Sequence, residues 1–307
     1  MPDSSKPSET SPQLLSSRRV GARRNGHSRR RSAMVPANVV IQKAGTIADV
    51  AMVTIVRKPT RYGDILVVRS RADGSYTYLQ GGYCQSEVDG DGISLSSYIH
   101  AIYGLLTQTN ARHILMIGCG GGTLATMLAR AGRSVTVVDV NPTSFQIARE
   151  HFFLSAEIVC HVRDGQRFLE QDDGRYDAIV VDAFIGDIIP PHLRSVQFFR
   201  SAQQKLTAYG CIVSNVMLRD DLDARARLIA ANMAEAGLHA CLLDAPGKPH
   251  RNAIVMGGPV LGVVPPRLLV KPDVGCDEII EDLARLRFRP WRSRVVEPHG
   301  SSLSTSS

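Results

Sequence analysis

The 307-residue chain is 44% hydrophobic and 21% charged, a balance that supports packed domains and excludes wholesale disorder. No apolar run reaches the roughly 18 residues needed to cross a bilayer, and the amino terminus lacks the apolar core of a secretion signal, so a cytoplasmic protein with no membrane span is expected. The net charge of +7 is concentrated in residues 1–35, where eight Lys/Arg face only Asp3 and Glu9, leaving +1 for the rest, so nucleic acid is not an expected partner of the folded part.

Residues 1–36 are Ser- and Arg-rich and poor in apolar side chains, the composition of a disordered basic tail. From 37 to 92 the chain alternates and turns as a small antiparallel β domain does. Stretches 50–56 and 64–70 are rich in Val and Ile, Ala72-Asp73-Gly74-Ser75 suits a hairpin turn, and 76–79 returns before a break at Gly81-Gly82. After Gly92 the spacing of Ile93, Leu95, Tyr98, Ile102 and Leu105 predicts a helix leading into the main domain.

Residues 93–262 then alternate apolar strands with amphipathic helices. Strands are expected at 113–117, 134–138, 157–162, 176–181 and 211–215, and helices at 123–131, 143–151, 166–170, 195–206 and 221–236, the last opened by acids that suit its N-terminal dipole. Strands 239–243 and 253–256 close the domain with no room for a helix between them, which makes them an antiparallel hairpin. This is an α/β protein with a mostly parallel, seven-stranded sheet covered on both faces. Residues 263–307 form a C-terminal extension, partly disordered, with a basic run and Trp291 expected to be solvated or to pack as a tail.

The glycine turn Gly118-Cys119-Gly120-Gly121-Gly122 lies directly between the first main-domain strand and its helix, where bare backbone lets a ligand approach closely and the helix amides face it. Asp139 ends the second strand, 21 residues after Gly118, where a carboxylate can accept both hydroxyls of a ribose. The turn departs from the Gly-x-Gly-x-x-Gly spacing of dinucleotide folds, which argues against NAD. Asp164-Gly165 follows the third strand; its acid could accept from an adenine amino group or act as a helix N-cap. Six scattered cysteines, with no Cys-x-x-Cys pair and no His/Cys cluster at metal spacing, predict reduced thiols and no metal.

The set Ile117 to Gly122, Val138-Asp139, Asp164-Gly165-x-x-Phe168 and Tyr176-Asp177-Ala178-Ile179-Val180-Val181-Asp182 resembles the spermidine synthase (polyamine aminopropyltransferase) family, a branch of the class I methyltransferase-like Rossmann fold. The resemblance runs from about residue 64 to 257 and includes Tyr83-Cys84-Gln85-Ser86-Glu87 and Tyr98. It implies a small β domain that caps the site and often takes part in a homodimer. It implies a donor site for S-adenosylmethionine or decarboxylated S-adenosylmethionine at Gln85, Gly118, Gly120, Gly122, Asp139, Asp164 and Gly165. Asp182 would help deprotonate the attacking amine, and Tyr98, Asp187 and His192 are candidates to contact a small-molecule acceptor.

Three positions depart from the family pattern. The acid of its Gly-Gly-Gly-Asp-Gly turn is Gly121, its Asp-Ser-Ser-Asp-Pro loop becomes Asp182-Ala183-Phe184-Ile185-Gly186-Asp187, and the Glu of its Tyr-x-Glu is His100. Each removes negative charge from a pocket that would desolvate a dication. The expected function is therefore transfer from a sulfonium nucleoside to an amine or other small nucleophile, with methyl transfer slightly favoured. Aminopropyl transfer to putrescine and a non-catalytic nucleoside-binding homologue are the alternatives.

Overall fold

A computed structural model describes residues 52–260 and 262–291; the basic tail and the end of the chain lie outside them. The first sheet holds β1 (Met52–Lys58), β2 (Ile65–Ser70), β3 (Tyr76–Gln80) and β4 (Tyr83–Val88) in sequence order, every pair antiparallel. Gly81-Gly82, expected as a break, is the two-residue turn of a hairpin that pairs Gln80 with Tyr83. Both glycines have positive φ, 59° and 85°, as a mirror-image hairpin turn requires. Tyr83–Val88, noted in the sequence only for its motif, is therefore a full strand.

The main sheet is built from β5 (His113–Ile117), β6 (Ser134–Asp139), β7 (Val159–Val162), β8 (Tyr176–Val181), β9 (Leu206–Leu218), β10 (Ala240–Asp244), β11 (Arg251–Gly257) and β12 (Arg287–Arg289). Its order is β12-β10-β11-β9-β8-β5-β6-β7. The five strands from β7 to β9 are parallel, and β11, β10 and β12 are antiparallel. The anticipated hairpin is β10–β11. The expected count of seven strands is corrected to eight, because β12 comes from the C-terminal extension and pairs with β10.

Its attachment is electrostatic as well as backbone-mediated. The Asp244 carboxylate, 2% exposed, accepts from Arg251 at 2.6 and 3.0 Å and from Arg289 of β12 at 2.8 Å. The Trp291 indole N–H donates to the Ala240 carbonyl at 2.9 Å. A buried charge of this kind is tolerated only with such multiple partners, and Arg289 sits too far along the chain for sequence spacing to reveal it.

Helices α1 (Ser97–Gln108), α2 (Thr123–Arg130), α3 (Pro142–His151) and α7 (Cys276–Arg285) contribute to one apolar cluster on the sheet, whose members include Ile102, Leu124, Phe145 and Leu283. Helices α4 (Gly165–Gln171), α5 (Val196–Gln204) and α6 (Arg225–Glu235) contribute to the other, with Phe168, Phe199 and Ile229. Near-continuous apolar strands such as His113–Ile117 are thereby buried on both sides. A third cluster joins Ile65, Val67, Tyr78 and Val88 of the small sheet to Ile147 and Phe152 at α3, which docks that sheet beside the glycine turn.

Helix α6 begins at Arg225 rather than at 221 and carries no acid in its first turn. Asp220 instead accepts from the backbone N–H groups of Leu222 and Asp223, and Asp223 pairs with Arg225 at 2.7 Å. Short Asp side chains that bond nearby amides stabilise a turn in competition with the helix, so the helix starts later.

Candidate functional site

The carboxyl ends of β6, β5, β8 and β9 lie side by side, the edge at which open α/β sheets bind ligands. The chain leaves β5 at Gly118, where φ is +102° and an added Cβ would stand 2.3 Å from the Asp182 carbonyl oxygen. The Asp182 N–H in turn donates to the Ile117 carbonyl at 2.9 Å. Only glycine permits this approach, which joins the turn to the end of β8. Gly122 caps α2 with φ 67°, presenting unpaired helix amides toward the turn.

Asp139 stands against that turn. Its Oδ2 accepts the Cys119 N–H at 2.8 Å and its Oδ1 the Asn141 N–H at 2.7 Å. Burial raises its pKa, and the two amides offset part of that shift. Each oxygen retains a lone pair for a ribose hydroxyl. From the cap, the Ser86 hydroxyl accepts the Gly121 N–H at 2.9 Å, and Gln85 lies beside Gly120. The Gln85 carbonyl accepts the Ser86 hydroxyl at 2.7 Å.

Asp164 has two partners. Its Oδ1 accepts the Gln166 and Arg167 amides, each at 3.1 Å, as the N-cap of α4, while Oδ2 accepts from His192 Nε2 at 2.7 Å. Asp164 and His192 line an open cleft with Gln166, Arg167 and Glu170. His192, expected beside the acceptor and without an identified partner, therefore lies on the Asp164 side, held there by the short 3-10 turn 191–194. Gly165 is explained by packing, since a Cβ would come within 2.4 Å of Ile117.

Asp182 follows the last residue of β8. Asn215 Nδ2 donates to its Oδ1 at 2.7 Å and the Tyr98 hydroxyl, from α1, reaches Oδ2 at 3.5 Å. Burial pushes the carboxyl up to about 6, against the lowering effect of both donors. The same burial, with the Asp182 charge next, keeps the Tyr98 phenol well above its ordinary value and hence protonated. A carboxylate tuned toward neutral pH beside a ligand-approachable turn is the arrangement of a general base.

The loop after Asp182 departs from expectation. Asp187, a candidate to replace a missing acceptor acid, accepts from Arg219 at 3.1 Å and from Arg225 at 3.3 Å. Ile185 is 70% exposed. His100, in place of the family's Glu, is buried and bonds the Ser94 carbonyl at 2.7 Å, a packing role. Sequence reading missed Asn215 and Asn252, whose signal was two amides in otherwise apolar strands, and the link from Ser86 to the turn.

Position 121 also bears on the donor. A Cβ there would lie 2.8 Å from the Phe152 ring and 2.9 Å from Ser86 Cβ, so Gly121 faces packed side chains. No larger side chain has room at this position without displacing Phe152 or Ser86. Among the described residues, no group of three or more His, Cys, Asp or Glu is placed to hold a metal ion.

A family model described as a methyltransferase domain matches residues 114–210. Over 119 residues the chain is 32% identical to a polyamine aminopropyltransferase of Vibrio vulnificus, covering 36% of this chain and 40% of that one. Over 176 residues it is 32% identical to a polyamine aminopropyltransferase of Neisseria meningitidis, covering 52% and 62%. The matches thus span about two fifths to three fifths of these relatives. The crystal structure of a probable spermidine synthase from Corynebacterium glutamicum superposes with a TM-score of 0.63 at 19% identity, over 82% of this chain and 99% of that one.

Fold and glycine turn together define a protein of the class I methyltransferase fold. Within that class the chain is similar to polyamine aminopropyltransferases over the residues that carry its motifs. Those relatives carry the name of aminopropyl transfer, the alternative reading, and give no support to methyl transfer as the main one.

Proposed function

We propose that the protein transfers an aminopropyl group from decarboxylated S-adenosylmethionine to a small amine, with Asp182 as the base. The observation that carries this reading is the part-buried Asp182 carboxylate, held by Tyr98 and Asn215 and joined through its backbone to the glycine turn. The donor site fits an adenosyl group: bare backbone at Gly118 and Gly120, Asp139 for the ribose, and Asp164 with His192 at the nucleobase edge. A bound sulfonium supplies a carbon already activated for displacement.

An alkyl ammonium has a pKa near 10 and no lone pair when protonated. Asp182 takes the proton from the acceptor nitrogen, and Tyr98 and Asn215 hold the carboxylate in line for it. Raising Asp182 from the ordinary carboxylate range to about 6 narrows the gap to the ammonium by about two units. Gly118 and Ser86 are buried, which lowers the local polarity and strengthens the contacts they make.

Calorimetry with decarboxylated S-adenosylmethionine, S-adenosylmethionine and methylthioadenosine tests the donor, and turnover with putrescine tests the reaction. Asp182→Asn is expected to retain donor affinity and to lose turnover by about 10²- to 10⁴-fold. Tight binding of intact donor with methyl transfer, and none of the decarboxylated form, would overturn the reading.

A further inference from the structure

Asp182 does not stand alone at its end of the sheet. Strands β8, β9 and β11 are adjacent, with Val181 opposite Ser214, Asn215 opposite Ile254 and Met217 opposite Asn252. One residue beyond Val181, Asp182 meets Asn215. Asn252 is the diagonal neighbour of Asn215 on the same face, within reach of a side chain across a sheet. The contacts follow this register: Asn252 Nδ2 donates to Asn215 Oδ1 at 2.9 Å, and Asn215 Nδ2 donates to Asp182 Oδ1 at 2.7 Å. Asn215 is 1% exposed, so it exchanges neither bond with water.

An asparagine amide has one donor end and one acceptor end. Reversed, the Asn215 amide would point its carbonyl at the Asp182 carboxylate and its NH₂ at that of Asn252, replacing two favourable contacts with two repulsive ones. Asn252 and the Asp182 carboxylate therefore together favour the orientation in which the NH₂ of Asn215 meets the carboxylate. We propose that Asn215 is a positioning residue for Asp182, and that Asn252 acts through it as the outer member of a three-strand amide relay. The relay rests on the reading of Asp182 as the base.

Two consequences separate this role from simple packing. The Asn215 donor favours the ionised carboxylate, opposing the burial that disfavours it. The other group on Asp182 is Tyr98, whose phenol lies near Cys84 and Glu87 of β4, and neither substitution below touches these. Because the relay is serial, removing Asn252 should have no effect once Asn215 is gone.

The test follows the Asp182 carboxyl resonance against pH in full-length protein labelled with ¹³C at the Asp carboxyls, the signal being identified by its absence in Asp182→Asn. Asn215→Ala should raise the titration midpoint by about one pH unit, and Asn252→Ala should raise it by less. The double variant should match Asn215→Ala, a non-additivity expected only of coupled neighbours. The acid limb of kcat with putrescine should move with the midpoint. An unmoved midpoint in both single variants overturns the relay, as does an additive double variant. A midpoint that moves while the kcat limb does not upholds the relay and overturns Asp182 as the base. Should Asn215→Ala fail to fold, Asn252→Leu carries the test: it is uncharged, close in size and offers no donor to Asn215, and an unmoved midpoint again overturns the proposal.

Discussion

The proposed donor and acceptor sides of the site are built differently. On the donor side Asp139 and Asp164 take their main hydrogen bonds from backbone amides, those of Cys119 and Asn141 and those of Gln166 and Arg167. All but the Cys119 contact come from within three residues of the acid. On the acceptor side Asp182 and Asp187 are held by side chains far along the chain: Tyr98, Asn215, Arg219 and Arg225. The first kind of site is written into local motifs and tolerates divergence elsewhere. The second depends on which side chains the tertiary fold delivers, and it is where this chain departs from the spermidine synthase pattern it resembles.

The largest expected effect lies at the junction of the two sides. Gly118→Ala places a Cβ 2.3 Å from the Asp182 carbonyl at a φ of +102°, and a loss on the order of 4 kcal/mol is expected in denaturant unfolding. A loss below about 1 kcal/mol would mean the turn and the end of β8 are not joined as described.

Next comes the pH dependence of the acceptor side. The carboxyl of Asp182 is raised in the folded protein to about 6, so folding favours its protonated form. Its stabilising contribution is complete below the unfolded value near 4 and is lost as pH rises through about 6. Asp182→Asn, which is never charged, should therefore be more stable than wild type at pH 8, by up to about 3 kcal/mol, with no such advantage at pH 4. Thermal unfolding at the two pH values checks this, and equal differences at both would break the assignment.

Smaller effects sharpen the contrast. Ser86→Ala removes the hydroxyl that accepts the Gly121 N–H and should cost about 1 kcal/mol, together with weaker binding of methylthioadenosine. Undiminished affinity would show that the cap does not shape the donor turn. Smallest is Arg219→Ala, which removes one exposed partner of Asp187. A roughly twofold fall in the putrescine KM is expected if Asp187 faces the acceptor, whereas a rise would place that acid outside the site.

Much of the fold is legible in the sequence because its signals are local. Strand-helix alternation after residue 113, the glycine turn and the closing hairpin all follow from periodicity and turn chemistry over a few residues. The misses share a cause. Gly81-Gly82 read as an end because a two-glycine turn and a chain break have the same composition, and the acids at 220–223 read as a helix start because their bonds to nearby amides and to Arg225 compete with the dipole effect. The acids proposed for the donor side are flagged by motif spacing, whereas the placement of His192 on Asp164 and the pairing of Asp187 are not.

The α/β class, the glycine turn and the candidate acids Asp139, Asp164 and Asp182 are readable from residues close together in the chain. Tertiary structure alone decided what surrounds those acids: the eighth strand that Asp244 anchors through Arg289, the side chains that close over Gly121, and the amides of Asn215 and Asn252 that meet Asp182 across three strands. The physical reason is that a carboxylate's protonation and orientation are set by burial and by donors within hydrogen-bond reach, and in this mixed sheet such neighbours come from strands far apart in the chain.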